Sequence, residues 1–250
     1  MNYFDEKVVI ITGASRGIGR AVCLELCNYN VKLAVCSRNI EELNDLKSEL
    51  MDIRNVELLI SECDISLSES VKEFVDKVIA TFGRIDILIN NAGVGYFDKF
   101  ENLDEERWKR MFSTNVDGVF YFCQNAISNM KNNESNPKGI IINIGSTSHL
   151  HYLPGGVGYG SSKAAMYELS QYLFNEYREQ DILVAYLAVG SVNTGFSKRN
   201  PDLIGWKITP DDVAKTVKNL LITLYSCENA CISYMEVRAK HPLPIEGRKE

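Results

Sequence analysis

The chain has 250 residues, 45% hydrophobic and 24% charged, the balance of a globular protein with room for one large α/β domain and a sizeable core. Its formal net charge of -6 disfavours a nucleic-acid reader, which needs a basic face, and no stretch reaches the ~20 consecutive apolar residues of a membrane span. Residues 1–7 are polar and acidic and lead directly into an apolar run, leaving no room for a signal peptide, so a cytoplasmic protein is expected.

The first apolar run, residues 7–11 (KVVII), is too short for a helix and is followed at once by a glycine-rich turn. A helix is predicted from there over 17–29. The alternation then continues in order: a strand at 31–36, a helix at 41–51, a strand at 56–60, a helix at 68–82 and a strand at 85–89. A long helix at 104–130 follows, with Asp104 as its N-cap, and then a strand at 139–144 and a helix at 158–179. The last elements are a strand at 182–187, a helix at 211–225 introduced by Pro210, and a strand at 231–237. The strands are continuously apolar rather than alternating, the pattern of strands covered on both faces in a parallel sheet. Residues 1–250 therefore read as a single domain, a Rossmann-type doubly wound parallel sheet of about seven strands with helices on both faces.

Two segments carry no functional weight. The polar stretch 129–138 reads as a surface turn, and the tail after about 238 reads as irregular; it contains Ile245-Glu246-Gly247-Arg248, which matches a common engineered protease site. The seven cysteines (Cys23, Cys27, Cys36, Cys63, Cys123, Cys227 and Cys231) are scattered, and His149, His151 and His241 are the only histidines. Cys227 and Cys231 lie one turn apart if their stretch is helical. No metal site is expected, and buried reduced thiols are.

The turn after the first strand is Thr12-Gly13-Ala14-Ser15-Arg16-Gly17-Ile18-Gly19. Glycines between a strand and a helix let the backbone approach a pyrophosphate, which rests on the N–H groups of the helix start. The order of motifs after it, through Asp64, Asn90-Asn91-Ala92-Gly93, Asn115, Ser146, Tyr159-Gly160-Ser161-Ser162-Lys163 and Thr194, resembles the short-chain dehydrogenase/reductase family over nearly the whole chain.

Charge argues for the cofactor. An NAD site places an acid at the end of the second strand, for the ribose 2′-hydroxyl. Here that strand ends in Ser37-Arg38, and Arg16 adds a second cation, a set suited to a 2′-phosphate, so NADP(H) is expected. The resemblance implies that Asp64 and the Ile65 N–H meet the adenine. It also implies that Asn90, Asn91 and Gly93 line the adenosine side while tying central strands together, and that Val192 and Thr194 hold the nicotinamide carboxamide.

Tyr159 and Lys163 stand at i and i+4 of a predicted helix, so they share a face. A lysine cation beside a tyrosine favours the phenolate and suits the pair to moving a proton to or from a carbonyl oxygen. Ser146 ends a strand thirteen positions earlier, as the family pattern has it, with Ser148 as its rival for stabilising the substrate oxygen. By resemblance, Asn115 holds a water on the lysine side. A short substrate lid is expected around 195–207, with Phe196, Trp206, Lys198 and Arg199. His149, His151, Tyr152, Leu153 and Val94 to Phe97 should complete the pocket, the histidines without chemistry.

The expected function is an NADPH-dependent carbonyl reductase acting on a small ketone or aldehyde, or in reverse on an alcohol. Reduction of a 3-oxoacyl carrier protein is an alternative, and a non-catalytic NADP(H)-binding regulatory protein is one of another class. By family analogy a homodimer or homotetramer is expected, with neither nucleic acid nor membrane as partner.

Overall fold

The computed structural model describes residues 3–54, 56–196 and 207–241. Seven strands form one parallel sheet: β1 (Lys7–Thr12), β2 (Val31–Ser37), β3 (Glu57–Glu62), β4 (Ile87–Asn90), β5 (Gly139–Ile144), β6 (Ile182–Val189) and β7 (Tyr234–Val237). Their spatial order is β3-β2-β1-β4-β5-β6-β7. The chain therefore runs outward from β1 in one direction and resumes beside β1 at β4, so the connections on either side of that line diverge and leave a crevice at the strands' C-terminal ends.

The helices cover both faces, which is why the strands lack polar alternation. On one face α1 (Gly17–Leu26), α2 (Ile40–Ile53) and α7 (Pro210–Ser226) pack over Val9, Ile11, Leu33, Ile87 and Ile142. On the other, α3 (Ser68–Phe82), α5 (Gly118–Met130) and α6 (Val157–Tyr177) cover Val8, Ile10, Leu88, Ile141 and Val184. Alternate residues of one strand thus feed two separate apolar layers. Local chemistry sets the helix ends. Asn39 and Asp104 accept from the backbone N–H groups of Glu42 and Arg107, and Thr209 forms a reciprocal capping box with Asp212 ahead of Pro210.

Three expectations need correction. The helix expected over 104–130 is two helices, α4 (Glu105–Phe112) and α5, joined by a π-helical turn at Ser113–Asp117. The last strand starts at Tyr234 rather than at 231, because as an edge strand it pairs with β6 alone, from Tyr186↔Tyr234 to Val189↔Val237. Cys227 ends α7 and is exposed, so it is neither buried nor one helical turn from Cys231. Among the described residues no helix is long and apolar enough to cross a membrane.

Candidate active site

At the C-terminal ends of the strands lies a cavity of ≈ 770 Å³. Its floor is the glycine-rich turn. Gly13 (φ +63°) and Gly17 (φ +57°) take left-handed backbone conformations that favour glycine. A Cβ on Gly13 would also sit 2.8 Å from Ala92 Cα, so this turn and the turn after β4 touch backbone to backbone. Hydrogen bonds lock that contact. Asn91 Nδ2 donates to the carbonyls of Thr12 (2.9 Å) and Gly13 (3.0 Å), and the N–H groups of Asn91 and Ala92 both donate to Thr12 Oγ1. Sequence reasoning missed Thr12, whose signal is a hydroxyl closing an otherwise apolar strand.

Most of the expected dinucleotide residues face the cavity: Gly13, Ser15, Arg16, Gly17 and Ile18 from the first turn, and Ser37 and Arg38 after β2. Asp64, Ile65, Asn91 and Gly93 line it further along, as do Val192 and Thr194 on the opposite side. Two do not. Gly19 is packed beneath the turn against the Gly13 carbonyl and the Asn91 amide. Asn90 points into the core, where its Nδ2 donates to Asn143 Oδ1 (2.8 Å), and Asn143 donates onward to Ser170 Oγ. Asn90 therefore ties β4 to β5 and, through Asn143, to α6, a structural role. Ser37 Oγ is engaged by the main chain of Asn39, which holds the turn leading to Arg38. Glu42 also reaches this wall. One Asp64 oxygen accepts from Ser66 N–H and Oγ, which fixes the carboxylate at the cavity edge.

The other end of the cavity holds Ser146, Tyr159 and Lys163. Ser146 follows β5, and its hydroxyl contacts Ser148 Oγ at 3.1 Å. Burial raises the Tyr159 pKa, and the pull of the nearby Ser146 side chain on its hydroxyl offsets only part of that shift. Both serines line the cavity, and Ser146 is the one whose side chain acts on the tyrosine hydroxyl. Lys163, 4% exposed, lies with its Nζ 6.0 Å from the Tyr159 ring centre and donates to the Ile144 carbonyl at 3.1 Å. Burial depresses its pKa to about 8. Desolvation dominates both groups and opposes charge on each.

Asn115 is fully buried in the π-helical turn and does not line the cavity. Its Nδ2 donates to the Val94 carbonyl (2.8 Å) and Ser162 Oγ (2.9 Å), and its Oδ1 accepts from Val94 N–H (2.9 Å). Both amide hydrogens are committed to protein, so the side chain holds the Val94 wall against α6.

Phe97 and Phe196 flank the Tyr159 ring at centroid distances of 5.2 and 5.7 Å. With Val94 and Leu153 they make that end of the cavity apolar. The expected lid falls mostly at 197–206, outside the described residues, as do Lys198, Arg199 and Trp206; Gly195, Phe196 and Lys207 do reach the cavity. His149, His151 and Tyr152 do not line it. His149 packs behind Ser146 against Tyr167, Tyr186 and Tyr234 instead.

Residues 7–203 match the family model for short chain dehydrogenase. The chain belongs to that family. An oxidoreductase of Staphylococcus saprophyticus, described as uncharacterized, is 31% identical over 210 residues, which are 84% of this chain and 88% of that protein. An alcohol dehydrogenase from the archaeon Thermococcus sibiricus, solved with 5-hydroxy-NADP, is 31% identical with a TM-score of 0.85, covering 96% of this chain and 99% of its own. A metagenomic short-chain oxidoreductase solved with NADP is 27% identical with a TM-score of 0.81, covering 96% of this chain and all of that one. As a short-chain dehydrogenase, the chain is an oxidoreductase.

Proposed function

We propose that the protein is an NADPH-dependent carbonyl reductase acting on a small ketone or aldehyde. The observation that carries this is the placement of a buried, protonated phenol (Tyr159) beside the Ser146 hydroxyl and in front of the Lys163 ammonium, at one end of a cavity built on a glycine cradle. The cradle fits a dinucleotide, because Gly13 and Gly17 hold left-handed backbone conformations that favour glycine and turn the main chain along the cavity into the start of α1, where backbone N–H groups suit phosphates. Arg16 and Arg38 line the far end and suit a 2′-phosphate. Two of the solved relatives described above were crystallised with NADP or a derivative of it, which supports the same cofactor here.

Bound NADPH supplies the hydride that adds to the carbonyl carbon. The protein's own residues manage the oxygen. Tyr159 donates its proton to the oxygen as negative charge builds there, Ser146 donates a hydrogen bond to the same atom, and Lys163 stabilises the phenolate left behind. Burial raises the Tyr159 pKa, so the phenol holds its proton at neutral pH until the substrate oxygen takes it. Phe97 and Phe196 hold the ring in place and keep water off it. Among the described residues, no feature of this site favours the carrier-protein substrate or the regulatory reading.

The test is NADPH oxidation, followed by absorbance, against a panel of diketones, quinones and aldehydes. Tyr159→Phe should lower kcat by at least about 10²-fold, the scale of a lost general acid, while leaving NADPH binding by fluorescence within about twofold. Equal turnover by the variant and the parent would overturn the assignment.

A further inference from the structure

Behind the reacting groups, β6 carries a tyrosine that the reaction as described does not use. Tyr186 is fully buried, yet its hydroxyl is not spent on packing. Its oxygen accepts from Ser146 N–H at 3.1 Å and lies 3.2 Å from the main-chain carbonyl of Lys163 and 3.3 Å from that of Ser146. A phenol has one proton to give, so it serves one carbonyl at a time while accepting from the Ser146 amide. Ser146 and Lys163 are seventeen positions apart, on a turn and on a helix, and this one oxygen joins their backbones.

The surroundings are shaped to hold it. A Cβ on Gly145 would overlap the Tyr186 ring at Cζ, so the glycine before Ser146 leaves the space the ring fills. Tyr167 meets the ring edge-on at 5.2 Å, and Tyr234 stacks parallel to it at 6.3 Å. His149 packs against it at 5.0 Å and places Nδ1 2.6 Å from the Ser146 carbonyl. Burial raises the phenol's pKa, so it remains protonated and able to donate and accept together.

We infer that Tyr186 is a positioning residue: its hydroxyl fixes the Ser146 backbone relative to Lys163 and thereby sets where the Ser146 side chain meets the substrate oxygen. The inference rests on the reductase reading above. Displacing a hydrogen-bond donor by a fraction of an ångström at an oxygen that gains charge weakens it more in the transition state than in the ground state, so the loss should fall on kcat rather than on binding.

Tyr186→Phe keeps the ring, and with it the packing, and removes the oxygen. Expected is a roughly tenfold lower kcat, with KM for the carbonyl and the NADPH dissociation constant within about twofold, and a displaced pH dependence of kcat. Gly145→Ala, which pushes the ring and its hydroxyl off the turn, should show the same kcat defect. An unchanged kcat and pH profile in both variants, whatever happens to thermal stability, would overturn the inference. Amide hydrogen exchange gives a readout independent of turnover: the Ser146 N–H should exchange at least tenfold faster in Tyr186→Phe, and equal rates would sink the proposal. If the parent protein binds NADPH but reduces no carbonyl, the reductase reading fails by itself. Amide exchange then decides whether Tyr186 holds the turn.

Discussion

Lys163 puts an ammonium group in a place that opposes its charge. It is 4% exposed, it donates to the Ile144 carbonyl and the Met166 sulfur, and burial lowers its pKa from 10.5 to about 8. Below pH 8 both the folded and unfolded chains carry this proton, and the folded one bears the full cost of burying the charge. Between about 8 and 10.5 the folded chain releases the proton while the unfolded chain keeps it, so stability rises with pH; above that range both are neutral and the cost is gone. Lys163→Met should therefore stabilise the protein at pH 7 by about 1–3 kcal/mol, or roughly 2–10 °C in Tm, while abolishing reduction. The gain should shrink toward zero by pH 10. Thermal melts across that range check it, and a gain independent of pH would contradict the buried-charge account. At this scale the sequence was most readable where spacing alone places groups together. Tyr159 and Lys163 share a helix face because they are four residues apart, and Ser146 ends a strand pointing to them. It was least readable where one motif does two jobs: in Asn90-Asn91, the second residue lines the cavity and the first is buried in the core. A tyrosine inside an apolar strand, as at 186, reads as core packing, and only coordinates show where its hydroxyl ends.

At the scale of elements, the π-helical turn between α4 and α5 was invisible in advance. Buried positions 111, 114, 115, 118, 119, 122 and 123 keep ordinary helical spacing straight through it, so periodicity gives no sign of the extra residue. Such turns commonly mark functional positions in a helix, and here the turn holds Asn115, whose side chain completes the hydrogen bonds of Val94 and reaches Ser162. Val94 lies in the irregular segment after β4, so the asparagine supplies the partners that a neighbouring strand otherwise would. Asn115→Ala should cost about 2–3 kcal/mol, since it strands a partly buried N–H and C=O together. Urea unfolding measures that cost, and the same variant should lose reductase activity as the Val94 wall loosens beside Tyr159. A variant as stable as the parent would show that water replaces the amide. Strands, by contrast, were legible because double coverage makes them uniformly apolar. The short edge strand β7, paired on one side, was drawn from 231 rather than 234, and β4 from 85 rather than 87.

At the scale of the whole molecule, the sheet order decides where a ligand can bind. The chain reverses direction between β1 and β4, and the turns after β1, β2 and β4 open into one crevice. The sequence revealed the alternation that produces this order, and the Ser37-Arg38 ending of β2 supplied the charge argument for its far end. It did not reveal that Glu42 reaches the same wall, because a helix residue five positions on has no sequence signal tying it to the cleft. The balance of Arg16 and Arg38 against Glu42 is a two-to-one excess of positive charge, which should favour a dianionic 2′-phosphate over a neutral hydroxyl. Binding to the folded chain alone stabilises it by ~2.7 kcal/mol at a hundred times the dissociation constant, or about 5–10 °C for a chain of this size. NADPH at that concentration should raise Tm by this amount, and NADH at the same concentration by less than half as much. Ser37→Asp places a carboxylate where the phosphate would lie and should reverse the order of the two shifts. This measurement needs no knowledge of the carbonyl substrate. If both cofactors shift the parent protein equally, or if Ser37→Asp leaves their order intact, the arginines do not read the phosphate and the NADPH assignment falls with them.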